Sequence, residues 1–289
     1  MPEKVKLTVL NSMAGKEIEA CMDQHLAWGL LVLDLKNGIF GKNVEELSQE
    51  EAEQVATLAS DRDLSVHTLS TGVFHSDVEV GEDAFREQWT PVLDRAMEVA
   101  EIIRPAQVRL LMGGSSQRAE FMDSGVYLAE SHPWIYDVYR EAIDRIFDAG
   151  FLAVIENEVR NCLFSTPQEI LSFFDILERP YAVSLIWDAQ NLWQMGTFPT
   201  LDVYRMLEPL IGMVHLKGGR AEVAGGPLVW KAGLEDASWP VIQIVKAAIA
   251  DGVSPVICLN PSHGEKPDGY VEDTSESLAF LRREIEEIA

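Results

Sequence analysis

Cysteine is scarce in this chain of 289 residues: Cys21, Cys162 and Cys258 are odd in number, far apart and without CxxC spacing. That excludes a disulfide framework and a structural zinc knot, and it fits a cytoplasmic setting. Basic residues are also in short supply. Lys and Arg number 23 against 47 Asp and Glu, a formal charge of -24, and such a field repels phosphate backbones and anionic membrane surfaces. Neither nucleic acid nor a membrane is therefore expected as a partner. A few positioned cations can still hold one small anion, because salt screens the distant field over about 10 Å. No apolar run approaches the roughly 18 residues of a membrane span. The opening MPEKVKLTVLNSMAGKE lacks the apolar core of about 7 to 15 residues that a secretory signal needs. No Gly/Ser-rich or Pro-rich linker divides the chain, and no GxGxxG follows the first apolar run, so an open dinucleotide-binding sheet has little support.

What the chain does have is rhythm. Hydrophobic residues make up 47%, enough for one large core. Short β-rich runs alternate with longer stretches of helical period, the pattern of βα units with parallel strands. Strands are expected at 5–10, 30–35, 64–69, 107–112, 151–156, 183–188, 212–217 and 255–260. Between them, Ile135, Val138, Tyr139, Ala142, Ile143, Ile146 and Phe147 form one apolar helical stripe after Pro133, stopped by Gly150. Ser48 with Glu51, Thr166 with Glu169 and Asp273 with Glu276 have the spacing of capping boxes. Eight units of about 36 residues each suit a closed (β/α)₈ TIM barrel, an α/β fold, with residues 1–289 as a single domain. The long polar segments 115–133 and 218–239 both follow strands and are expected at the C-terminal face of the barrel, where such loops cover a site.

Polar residues fall at the ends of four consecutive strands. Glu156 and Glu158 end the fifth in VIENE, Asp188 ends the sixth in VSLIWD, His215 lies in the seventh in VHLKGGR, and Asn260 follows the eighth in ICLNPSHG. A buried carboxylate such as Asp188 needs compensation: a divalent cation, an ion pair with Lys217, or a loop to cap. Two carboxylates, an imidazole and an amide oxygen converging on one point suit Mn²⁺, Mg²⁺, Zn²⁺ or Co²⁺.

These motifs, VIENE, WDAQN and VHLKGG in this order, resemble the xylose-isomerase-like TIM barrels, the sugar phosphate isomerase/epimerase group that also includes inosose dehydratases, hydroxypyruvate isomerases and apurinic endonucleases. The resemblance implies a metal bound by Glu156, Asp188, His215 and a fourth residue, which here is Asn260 where the family has Glu. It implies a small-molecule sugar or sugar-derived substrate and, since relatives often form dimers or tetramers, a homo-oligomer. The endonuclease branch is disfavoured by six scattered histidines and the charge of -24.

Asn260 also bears on mechanism, because an amide cannot serve as the second base of a two-base epimerisation. The expected activity is thus a metal-dependent isomerisation, epimerisation or dehydration of a polyhydroxylated carbonyl compound through an enediolate, with Glu156, Glu158 and Lys217 catalytic. The alternative is a sugar-binding barrel without turnover. Asn191, Arg220, Lys36 and His75 are substrate-binding candidates, and His263 is a loop candidate for proton transfer. Trp134, Trp187, Trp193 and Trp230 are candidates to line a pocket. His67 reads as a core histidine.

Overall fold

Each apolar run becomes a short parallel strand within two residues of its expected bounds in a computed structural model, which describes residues 5–261 and 266–288. The strands are β1 (Lys6–Val9), β2 (Val32–Leu35), β3 (Ser65–Leu69), β4 (Gln107–Leu111), β5 (Leu152–Glu156), β6 (Val183–Asp188), β7 (Ile211–Leu216) and β8 (Val256–Leu259). β1 pairs with β8, and the ladder then runs in order from β8 back to β2. The circle is nearly closed between β1 and β2, where Thr8 Oγ1 donates to Val32 O at 2.6 Å and Leu10 bridges to Asp34. The strands are buried on both faces, as parallel strands under a helical layer must be.

The outer layer holds α1 (Ile18–Ala27), α2 (Gln49–Ser60), α3 (Glu82–Ile103), α4 (Trp134–Asp148), α5 (Pro167–Leu177), α6 (Leu201–Leu207), α7 (Val241–Asp251) and α8 (Tyr270–Glu284). The α4 stripe is buried from Ile135 to Ile146, while Phe147 is 48% exposed at the end of its helix. Gly150, at φ 88, takes the left-handed turn that follows. Ser48 and Thr166 cap α2 and α5 in complete capping boxes. Asp273 does not cap α8. That helix begins one turn earlier at Tyr270, after Gly269 in the left-handed region, so Asp273 and Glu276 lie inside it.

The loops on the C-terminal side carry structure that periodicity did not indicate. A small hairpin pairs Asn37–Ile39 with Lys42–Asn43 directly after β2. Two short helices, Ser124–Ser131 and Ala189–Gln194, follow β4 and β6. None of the helices among the described residues is long and apolar enough to cross a membrane.

Candidate active site at the C-terminal mouth of the barrel

Residues two apart on a strand face the same way, and the interior of this barrel is built in layers on that rule. The lower layer is neutral: Gln107 Nε2 donates to Thr68 Oγ1 at 2.8 Å and touches Met213 Sδ at 3.1 Å across the barrel. Two residues further along β4 and β7 stand Arg109 and His215, and the interior becomes charged.

Glu156, 2% exposed, is gripped from two sides. Arg109 Nη1 bonds its Oε2, and His215 Nδ1 lies 2.9 Å from its Oε1. Arg109 is itself fixed, donating to Ser70 O at 2.9 Å and Thr71 O at 3.0 Å. On its other edge His215 Nε2 lies 3.3 Å from Asp34 Oδ2, an ion-pair distance outside hydrogen-bond geometry. Asp34 accepts from Ser70 Oγ at 2.5 Å. Burial alone would raise the Glu156 pKa, but His215 and Arg109 hold it well below the usual carboxylate range. Burial would lower that of His215, yet Glu156 and Asp34 hold it well above the ordinary imidazole value.

Asp188 is fully buried at the end of β6, and two of the compensations open to it from sequence are present together. Lys217 Nζ lies 2.6 Å from Oδ2, and Oδ1 accepts from Asn191 N at 2.9 Å, capping the Ala189–Gln194 helix. Asn157 fixes the backbone beneath, donating to Asp188 O at 2.9 Å and accepting from Asp188 N at 3.0 Å. Burial still pushes the Asp188 carboxyl up, against the pull of Lys217. Asn191 accepts from Lys217 Nζ at 2.7 Å and donates to Asn157 O at 3.0 Å.

One carboxylate oxygen each from Glu156 and Asp188 and a ring nitrogen of His215 lie within 4.8 Å of one another. This donor set, two hard oxygens and an imidazole, fits a divalent cation. Asp34, His215 and Cys258 form a second such group. Burial pushes the Cys258 thiol up to about 12.

Above this cluster opens a cavity of about 500 Å³. Lys36, His75, Glu158, Asn191, Lys217 and Asn260 all line it. β5 ends at Glu156, so Glu158 stands in the following loop, partly exposed, and its Oε2 accepts from Val159 N at 3.3 Å. Asn260 is 4% exposed, and its backbone amide donates to Leu216 O at 2.9 Å. Arg220 is not brought in: it points to Asp236 and Trp230 and is not among the cavity-lining residues. The four candidate tryptophans do not line the cavity either; Trp187 and Trp193 are buried in the core and Trp230 is 45% exposed. His67 is half-buried near the opposite end of the barrel, beside the start of β5. His263 lies outside the described residues.

Three members of the cluster, Asp34, Arg109 and Asn157, were not singled out as site residues from sequence. Asp34 in LVLDLK and Arg109 in QVRLLM carry the same signal as Asp188, a charge inside an apolar strand.

No curated protein matches the sequence. Solved structures of the same fold do. A D-psicose 3-epimerase from Clostridium cellulolyticum H10, solved with D-tagatose, is 14% identical with a TM-score of 0.69, covering 96% of this chain and 98% of its own. The E. coli 3-keto-D-glucoside 4-epimerase YcjR is 14% identical with a TM-score of 0.71, covering 97% of this chain and 100% of its own. A Mycobacterium smegmatis protein in complex with magnesium is 15% identical with a TM-score of 0.69, covering 98% of this chain and 96% of its own. The sequence profile of the xylose isomerase-like TIM barrels matches residues 32–285. This chain belongs to that family.

Proposed function

We propose that the protein is an isomerase, epimerase or dehydratase acting on a sugar or other polyhydroxylated carbonyl compound through an enediolate. The observation that carries this reading is the convergence of Glu156, Asp188 and His215, from three consecutive strands, beneath a cavity lined by Glu158, Lys36 and Lys217. Glu156, Asp188 and His215, with the amide oxygen of Asn260, would hold a divalent cation, which when bound supplies Lewis acidity at the substrate's carbonyl oxygen.

The chain's own groups divide the remaining work. Glu156 is a poor base because Arg109 and His215 stabilise its ionised form; its role is to anchor charge. Glu158 makes no ion pair with a described residue; it stands at the cavity wall and takes the proton from the carbon next to the carbonyl. The C–H electron pair becomes the new C=C bond, and the carbonyl π pair moves to oxygen as an enediolate. Lys36 and Lys217 face the cavity and stabilise that negative charge. Return of the proton to the former carbonyl carbon, with the hydroxyl proton of the deprotonated carbon passing to the enediolate oxygen, isomerises. Departure of a β-hydroxyl with the proton held by Glu158 as water dehydrates. Epimerisation follows when a water on the opposite face delivers the proton and Glu158 releases its own to solvent.

The test is exchange of carbon-bound hydrogen in D₂O, followed by NMR, on neutral and anionic ketoses, D-fructose, D-tagatose, D-fructose 6-phosphate and 2-keto-D-gluconate, with Mn²⁺, Mg²⁺, Zn²⁺ or Co²⁺ supplied. Exchange is expected in the wild type and a loss of at least about a hundredfold in Glu158→Gln. Unchanged exchange in that variant rejects Glu158 as the base, and absence of exchange from every sugar tried rejects the reaction. One observation favours the second reading, a binding barrel without turnover: Arg109, Lys217 and a protonated His215 balance Asp34, Glu156 and Asp188 with no metal needed. Sugar binding without metal uptake or exchange would establish that reading instead.

A further inference from the structure

Five cationic side chains line the cavity among the described residues, Lys36, Arg109, Arg160, Lys217 and Lys231, against two acids, Glu45 and Glu158. In a chain of net charge -24 that local excess is the reverse of the surface average. Arg109 and Lys217 are committed to Glu156 and Asp188. Lys36 is not: its side chain makes no ion pair or hydrogen bond to any described residue, although it is half-buried. Burial first, and then the facing Arg109, lower its pKa against the pull of Glu156 and Glu158, so the ammonium is poorly solvated and lacks a contact partner. Arg160, exposed at the rim, likewise has no partner among the described residues. Of the two acids, Glu45 turns its Oε1 to Gly72 N at 2.8 Å, and burial raises its pKa, which weakens it as a counter-charge.

We propose that the cavity takes an anionic substrate, a polyhydroxylated carbonyl compound carrying a carboxylate or phosphate group, and that Lys36 and Arg160 bind that group. The proposal rests on the sugar-site reading above and names the substrate class for it. Asn191, Gln194 and Ser70, also on the cavity wall, provide neutral donors and acceptors for hydroxyls. The cationic pair provides what hydroxyls do not need: a charge-assisted hold on one end of the molecule, which fixes the reacting carbons relative to Glu158.

Calorimetric titration with three ligands of one skeleton tests this: D-fructose, D-fructose 6-phosphate and 2-keto-D-gluconate, which are neutral, phosphorylated and carboxylated. At least one anion is expected to bind about tenfold or more tightly than D-fructose, with the preference shrinking as salt rises. Which anion wins identifies the phosphate or the carboxylate as the recognised group. The preference should fall in Lys36→Gln and in Arg160→Gln and survive in Lys36→Arg. Arg160 is exposed, so its variant reports even if the Lys36 change perturbs folding. D-Fructose binding as tightly as both anions, or a preference unchanged in both Gln variants, overturns the anion assignment while leaving a sugar site. No binding by any of the three removes the assignment and the sugar site together.

Discussion

The lower and upper layers of the barrel interior fill the same space with different chemistry. Around Thr68, Gln107 and Met213 the contacts are neutral, and one amide satisfies its neighbours. Two residues higher, Arg109, Glu156, His215 and Asp34 form a chain of opposite charges, with Lys217 and Asp188 beside it. A neutral layer is enough to close a barrel. Charges taken out of water are expensive even when paired and add little stability over apolar residues of similar size. Their concentration in one layer, at the mouth, is what the proposed function rests on.

The largest expected effect comes from unpairing the upper layer. Arg109→Met leaves Glu156 buried without one of its two cationic partners and should destabilise the fold by about 3–5 kcal/mol, read from chemical denaturation. Lys217→Met strands Asp188 and should cost about 3 kcal/mol, with much of it recovered when Asp188→Asn is added, because the second change removes the orphaned charge. A divalent cation at about a hundredfold excess over its Kd should raise stability by about 2.7 kcal/mol in the wild type and by far less in Asp188→Asn. The smallest effect belongs to the lower layer: Gln107→Met should cost about 1 kcal/mol, the value of an ordinary hydrogen bond. If Gln107→Met proves as damaging as Arg109→Met, the contrast between the layers is wrong.

The barrel was legible because its signal is local. Eight apolar runs separated by helical periods, with capping boxes at Ser48 and Thr166, fix element type without knowledge of neighbours. The α8 start escaped because the Asp273–Glu276 spacing repeats inside a helix that Gly269 had already begun. At the site, Glu156, Asp188 and His215 could be read because each is a polar residue at a strand end in a familiar motif. Which charge meets which could not. The pairing of Arg109 with Glu156 depends on β4 and β5 lying side by side with Leu111 opposite Glu156, and the approach of Asp34 to His215 depends on closure of the barrel. Arg220 was placed near the substrate because it follows His215 closely, but the chain turns after Gly218 and carries it to Trp230.

Lys36 is tethered at both backbone atoms by segments outside the ladder: its amide donates to Asn11 Oδ1 at 2.8 Å, and its carbonyl accepts from Val44 N at 2.7 Å. The position is thus held by the small hairpin and the β1 loop, whatever side chain it carries. Under the anion assignment proposed above, exchanging that one residue for a neutral or acidic one would redirect the mouth toward a different clientele while these backbone tethers stay in place.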